Sequence, residues 1–148
     1  MIRLASAGRA SLITLALLAL PPLTRQLSAQ RKVFNPPGTP TNLPFSNGVQ
    51  VGNQLWVAGM EGEVNGNIKD ETKSALDRIK SVIDAAGFKM TDVVAVQVYL
   101  ADIGEFQAMN EVYRTYFPDP KPTRTTVQVA HLVNDARVEI TVTAVKTP

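Results

Sequence analysis

The chain contains no cysteine, which removes disulfides, thiolate metal sites and thiol catalysis from consideration. It has a single histidine, His131, too few for a multi-histidine metal centre. That residue reads as a solvated one at a strand end. The single tryptophan, Trp56, reads as core or interface rather than a ligand platform. No apolar run reaches the roughly 20 residues that a bilayer span needs. Neither Walker nor dinucleotide spacing is present, so the glycines of the segment 62–66 form a loop and not a phosphate cradle. No Asp or Glu precedes Glu61. Repeats and low-complexity tracts are also missing. One domain with an ordinary hydrophobic core is the expectation.

The first acidic residue comes late because the chain opens with what reads as a leader. Arg3 and Arg9 give a basic start, residues 12–20 are apolar, Pro21 and Pro22 break that run, and Ala29 follows Leu27 and Ser28 as a small residue at a cleavage point. The expectation is a signal peptide over 1–29, a mature domain over 30–148, a periplasmic or secreted location, and no membrane attachment after cleavage. An organellar transit peptide is the alternative, since Arg25 and Arg31 also follow the apolar run. Cleavage would take Arg3, Arg9 and Arg25 from the 15 basic residues and leave all 13 acidic ones, so the body carries a net charge of −1. The pI of about 9.0 therefore describes the leader. A slightly acidic body has no general field for nucleic acid, and no nucleic-acid partner is expected.

Along the mature chain, residues 35–48 are dense in Pro, Gly and Asn and predict an irregular arm after at most a short strand at 31–34. Strands at 49–51 and 55–58 flank a turn at Gly52-Asn53. Ala75, Leu76, Ile79, Val82, Ile83 and Ala86 recur at helical spacing and predict a helix over 70–86, closed by Gly87. The nearly continuous apolar run 93–100 predicts a central strand buried on both faces. Asp102 is placed to cap a second helix over 104–117, which Pro118 and Pro120 stop. The last quarter alternates with period two in both 122–130 and 137–145. Val138, Ile140, Val142 and Ala144 form an apolar face that needs a core. Arg137, Glu139, Thr141 and Thr143 lie on the other, and Arg124, Thr126 and Gln128 share one side of the preceding strand. Thr, Gln and isolated charges suggest a half-covered face, and a lone Arg or Glu there needs a partner or a ligand. The fold class is α+β: a mixed sheet of about six strands with two helices packed on one face.

Several of these segments carry a resemblance. Arg124-Thr-Thr-Val-Gln-Val-Ala with Arg137-Val-Glu139-Ile-Thr-Val-Thr-Ala-Val resembles the C-terminal signature of the RidA (YjgF/UK114-type) enamine/imine deaminases. The segments 44–59, 74–87 and 98–113 resemble that family's first hairpin, first helix, and next strand with second helix. The likeness covers roughly residues 31–146. It implies the chorismate mutase-like RidA fold, a homotrimer with the sheets facing inward, ligand clefts between subunits, and no cofactor or metal.

The resemblance also implies roles. Arg124 would hold a substrate carboxylate through the two parallel donors of its guanidinium, and Glu139 would handle the attacking water. Asn110 matches an asparagine near the cleft; four residues from Phe106, it points to the protein body and either ties helix to sheet or meets ligand. Gly59 matches a glycine whose backbone approaches the ligand, or it is a close-packing glycine. Phe45, Ala58 and Thr126 stand where well-studied deaminases have tyrosine, serine and cysteine, so polar groups that orient the ligand are fewer here. If the last two strands form a hairpin around Val133-Asn134, Glu139 lies opposite Gln128, about 13 Å from Arg124. Either those strands are not neighbours, or each cleft takes the two residues from different chains. The implied activity is hydrolysis of small reactive 2-imino or enamino acids to 2-keto acids and ammonia; the alternative is a non-catalytic protein of this fold that binds small carboxylates.

Overall fold

The computed structural model describes residues 30–147 apart from Thr41 and Asn65, so the expected leader at 1–29 lies outside the described residues. Six strands form one sheet: β1 (Arg31–Phe34), β2 (Gly48–Val51), β3 (Gln54–Glu61), β4 (Val93–Leu100), β5 (Thr123–Gln128) and β6 (Val138–Val145). Helix α1 (Ile68–Ala85) connects β3 to β4, and α2 (Phe106–Tyr116) connects β4 to β5. The spatial order is β1-β2-β3-β6-β4-β5. Every neighbouring pair is antiparallel except β4 with β5, as a helical crossover between sequential strands requires.

The core lies between the helices and one sheet face. Leu76, Ile79, Val82 and Ile83 of α1 meet Leu55 and Val57 of β3, Val96, Val98 and Leu100 of β4, and Val138, Ile140 and Val142 of β6, all of them buried. The strict alternation of β6 is thus used as expected. The first helix starts earlier than 70 because Asn67 caps it: its side-chain oxygen accepts from the amides of Lys69 and Asp70 at 2.9 and 3.2 Å, satisfying two amides that would otherwise lack partners. Its end is as expected. Gly87 takes φ +72, its amide bonds Asp84 O and that of Phe88 bonds Ile83 O, each at 2.9 Å, the paired closure that a left-handed residue permits. Asp102 caps only a short 3-10 turn, Ile103–Glu105, and α2 begins after it.

One expectation about the sheet changes, and one alternative left open by the sequence is decided. Strand β4 is not buried on both faces: Val94 and Gln97 are exposed and Ala95 and Tyr99 only partly covered, because the helices occupy one side. Strands β5 and β6 are not a hairpin; β4 lies between them. Their connection passes through a 3-10 turn at Val133–Asp135 and is pinned by a buried carboxylate. Glu71, 1% exposed, accepts the Arg137 amide at 2.8 Å. The Arg137 guanidinium lies 3.6 Å from Glu71 and 2.6 Å from Glu105. A buried carboxylate is tolerated only with such partners, so the isolated charge at Arg137 is a structural one.

Candidate functional site

Strand β3 carries an irregularity that shapes the site. Its pairing with β6 shifts between Val57, opposite Val142, and Met60, opposite Ile140. Ala58 and Gly59 therefore together face the single residue Thr141, the mark of a bulge. The Thr141 hydroxyl donates to Val57 O at 2.5 Å and fills the gap in the ladder. Past the bulge, Glu61 sits directly opposite Glu139.

The bulge opens a cleft of about 820 Å³, walled by the arm residues Pro36, Pro37, Leu43 and Phe45 and floored by Ala58, Gly59, Glu61 and Glu139. That volume suits a small organic ligand. Glu139 lies over Gly59, where any Cβ would coincide with its Oε1. Glycine at 59 is therefore what allows the carboxylate its position. Burial first, and then the negative charge of Glu61, push the Glu139 carboxyl above the ordinary carboxylate range, since both disfavour the ionised form. Neither Arg137 nor Gln128 engages it: Arg137 is held by Glu71 and Glu105, and the Gln128 side chain accepts from the Ile103 amide at 3.2 Å.

Arg124 sits elsewhere. On β5 it pairs with Val96 of β4, as Thr126 pairs with Val98 and Gln128 with Leu100, so all three side chains emerge on the helix-covered face. Val96 and Val98 are also opposite Val142 and Ile140, whereas Glu139 pairs with Tyr99 on the open face. Arg124 and Glu139 of one chain are thus two strands and three residues apart, about 10 Å in each direction, and on opposite sides of the sheet. The half-covered face expected to hold both does not exist within one chain.

The Arg124 guanidinium is held in a cradle built by α2. Its Nη1 donates to Asn110 Oδ1 at 2.7 Å, and it lies 4.5 Å from the Tyr113 ring centre and 5.5 Å from that of Phe106. Such stacking over aromatic rings is worth about 0.5–2 kcal/mol each and fixes the plane of the fork. Asn110 is 7% exposed and ties helix to sheet through Arg124 itself. Two hydroxyls beside it, Tyr113 Oη and Thr126 Oγ1, are buried without a hydrogen-bond partner among the described residues. Burial raises the Tyr113 hydroxyl above its usual range, against smaller opposing effects of the charge and close approach of Arg124. His131 is exposed beside Asp135 at 3.3 Å. Trp56 is 42% exposed on the open face, opposite Thr143.

The residues picked out from the sequence therefore fall into two sets. Phe45, Ala58, Gly59 and Glu139 meet at the cleft; Arg124 and Asn110 meet at the α2 end of β5, where Thr126 lies two residues on. Sequence reasoning missed Glu61, whose place depends on the bulge. It also missed the role of Tyr113, although the spacing of Phe106, Asn110 and Tyr113 on one helix face offered a signal.

A six-stranded sheet with two helices on one face and a carboxylate-lined cleft at a bulge make a two-layer α+β scaffold with a candidate small-molecule site. Residues 38–146 match the family described as Endoribonuclease L-PSP. The chain belongs to this family, the RidA (YjgF/UK114-type) family that its motifs resemble. A RutC family protein of Pyrococcus horikoshii is 43% identical over 110 residues, covering 70% of this chain and 87% of that one. A 2-iminobutanoate/2-iminopropanoate deaminase of Dermatophagoides farinae is 38% identical over 118 residues, covering 74% and 92%. The structure of Escherichia coli TdcF with bound serine superposes with a TM-score of 0.68 at 31% identity, covering 71% of this chain and 90% of that one.

Proposed function

We propose that this protein hydrolyses small reactive 2-imino acids, and their enamine tautomers, to 2-keto acids and ammonia, at sites each completed by two chains of a homotrimer. One chain supplies Glu139 in the cleft; a neighbouring chain supplies Arg124. The observation that carries this reading is the Glu139 carboxyl, lodged over Gly59 at the cleft floor with its proton affinity raised by burial. A carboxylate so placed is suited to take a proton from water. The names of the relatives are consistent with the substrate class, and serine bound to TdcF is a small amino acid with the carboxylate that an arginine fork would hold.

In the proposed reaction, Arg124 holds the substrate carboxylate and places the imine carbon near Glu139. Water adds to that carbon as Glu139 takes one of its protons; the C=N π pair moves to nitrogen, which is protonated. Glu139 returns its proton to the amino group of the resulting carbinolamine, the C–N bond breaks, ammonia leaves, and the hydroxyl loses its proton as the keto group forms. The open face supports the trimer: Val33, Trp56, Val94 and Val127 are each more than 40% exposed on the described chain, an apolar surface that a partner would cover.

The test generates imino acids in place with an amino-acid oxidase and follows their loss by semicarbazone trapping. Wild type should accelerate decay. Arg124→Lys should lose most of that rate with the fold intact, because a point charge cannot replace a planar fork, and Glu139→Gln should retain carboxylate binding but not turnover. A wild type that binds carboxylates without turnover, with Glu139→Gln silent, would establish the binding-protein alternative instead.

A further inference from the structure

We propose that Glu61 is a positioning residue for the hydrolytic site: its carboxylate, fixed beside Glu139 across the β3–β6 ladder, makes Glu139 a stronger proton acceptor for the attacking water. This rests on the imine-hydrolysing reading above and assigns a role to a residue outside the family signature segments.

Three observations converge. Glu61 and Glu139 are direct cross-strand partners, so their Cβ atoms are about 5 Å apart on one face. Both carboxyls open on the same cleft. The Glu61 side chain is anchored, accepting from Asn134 Nδ2 at 2.9 Å, while no side-chain hydrogen bond among the described residues engages Glu139. Asn134 itself holds φ +58, a conformation that Asn adopts more readily than most residues, which aims its amide at Glu61. Like charges directly opposite each other destabilise a sheet, so the pairing of the two carboxylates itself works against folding.

Among the described residues no cationic side chain forms an ion pair with either carboxylate, although Arg78 also lines the cleft; the neighbouring chain's Arg124, which the proposed two-chain site brings here, is committed to the substrate carboxylate. On α1, Arg78 donates to the backbone carbonyl of Glu61 at 3.2 Å. On β4, the Tyr99 hydroxyl donates to Gln97 at 3.0 Å. Arg137, just before β6, is held by Glu71 and Glu105. From the 3-10 turn, Asp135 lies by His131 at 3.3 Å and adds no positive charge. The effect of Glu61 on its neighbour is therefore repulsive, and a carboxylate pressed this way holds a proton more tightly, as a general base acting on water requires.

The test is a titration of Glu139 in the full-length protein, labelled with 13C at glutamate and assigned against Glu139→Gln. In Glu61→Gln the Glu139 midpoint should move to lower pH. The acidic limb of kcat/KM should move with it, kcat should fall several-fold, and KM should change little. Glu61→Asp should retain most of the wild-type midpoint. In wild type, added salt should lower the midpoint by screening the pair, a measurement that needs no variant to fold. An unmoved midpoint in Glu61→Gln, or one insensitive to salt in wild type, would overturn the proposal. The titration does not depend on turnover: a wild type without activity would overturn the hydrolytic reading while the midpoint still decides whether Glu61 tunes Glu139.

Discussion

At the scale of single residues, the site depends as much on an absent side chain as on those present. A Cβ at 59 would occupy the place of Glu139 Oε1, and Oε1 is the far end of a flexible side chain that can rotate away. Gly59→Ala should therefore leave thermal stability nearly unchanged yet displace the carboxylate. A shift of about 1 Å in a reacting group costs on the order of 100-fold in rate. Side-by-side melting and imine-hydrolysis assays check this; a Gly59→Ala protein with wild-type kcat/KM would mean that the Glu139 position is incidental. Arg124 illustrates the converse. Stacked on Tyr113 and bonded to Asn110, its guanidinium is oriented by helix α2, as a residue that must present a planar fork at a fixed angle should be.

At the scale of elements, legibility followed the contrast between strand faces. In β6 the alternation of Val138, Ile140, Val142 and Ala144 with polar residues left one possible orientation, and the core took it. In β5 both faces mix Thr with a longer residue, Arg124, Thr126 and Gln128 against Thr123, Thr125 and Val127, so the side that meets the helices could not be read. That ambiguity is why Arg124 and Glu139 seemed to share a face when they occupy opposite ones. The interposed β4 was hidden for a similar reason: a crossover through α2 makes β4 and β5 parallel neighbours, while a sequential β5–β6 pairing fits the same alternation. The early start of α1 was legible in Asn67 and Asp70, an N-cap with an acidic residue three positions on, and the capping hydrogen bonds use it. The β3 bulge left no mark beyond Gly59, and with it went the position of Glu61.

At the scale of the whole molecule, one chain holds two separate groups of candidate residues and a sheet face that no helix covers. A neighbouring copy is proposed to resolve both features at once. The leader is a further proposal at this scale: protein recovered from its native host should begin near Gln30, and intact-mass spectrometry showing Met1 on soluble cytosolic protein would reject export. The two-chain site is tested most directly by mixing inactive variants. Arg124→Lys and Glu139→Gln chains, unfolded together in equal amounts and refolded, should form hybrid trimers in which some clefts receive an intact Arg124 from one chain and an intact Glu139 from the next. With a cyclic arrangement and random assortment, about a quarter of clefts are restored, so turnover should rise to about a quarter of wild type from the near-background level of either variant alone. Turnover that stays at the level of the separate variants, in mixtures shown by native mass spectrometry to contain hybrids, would contradict a site shared between chains.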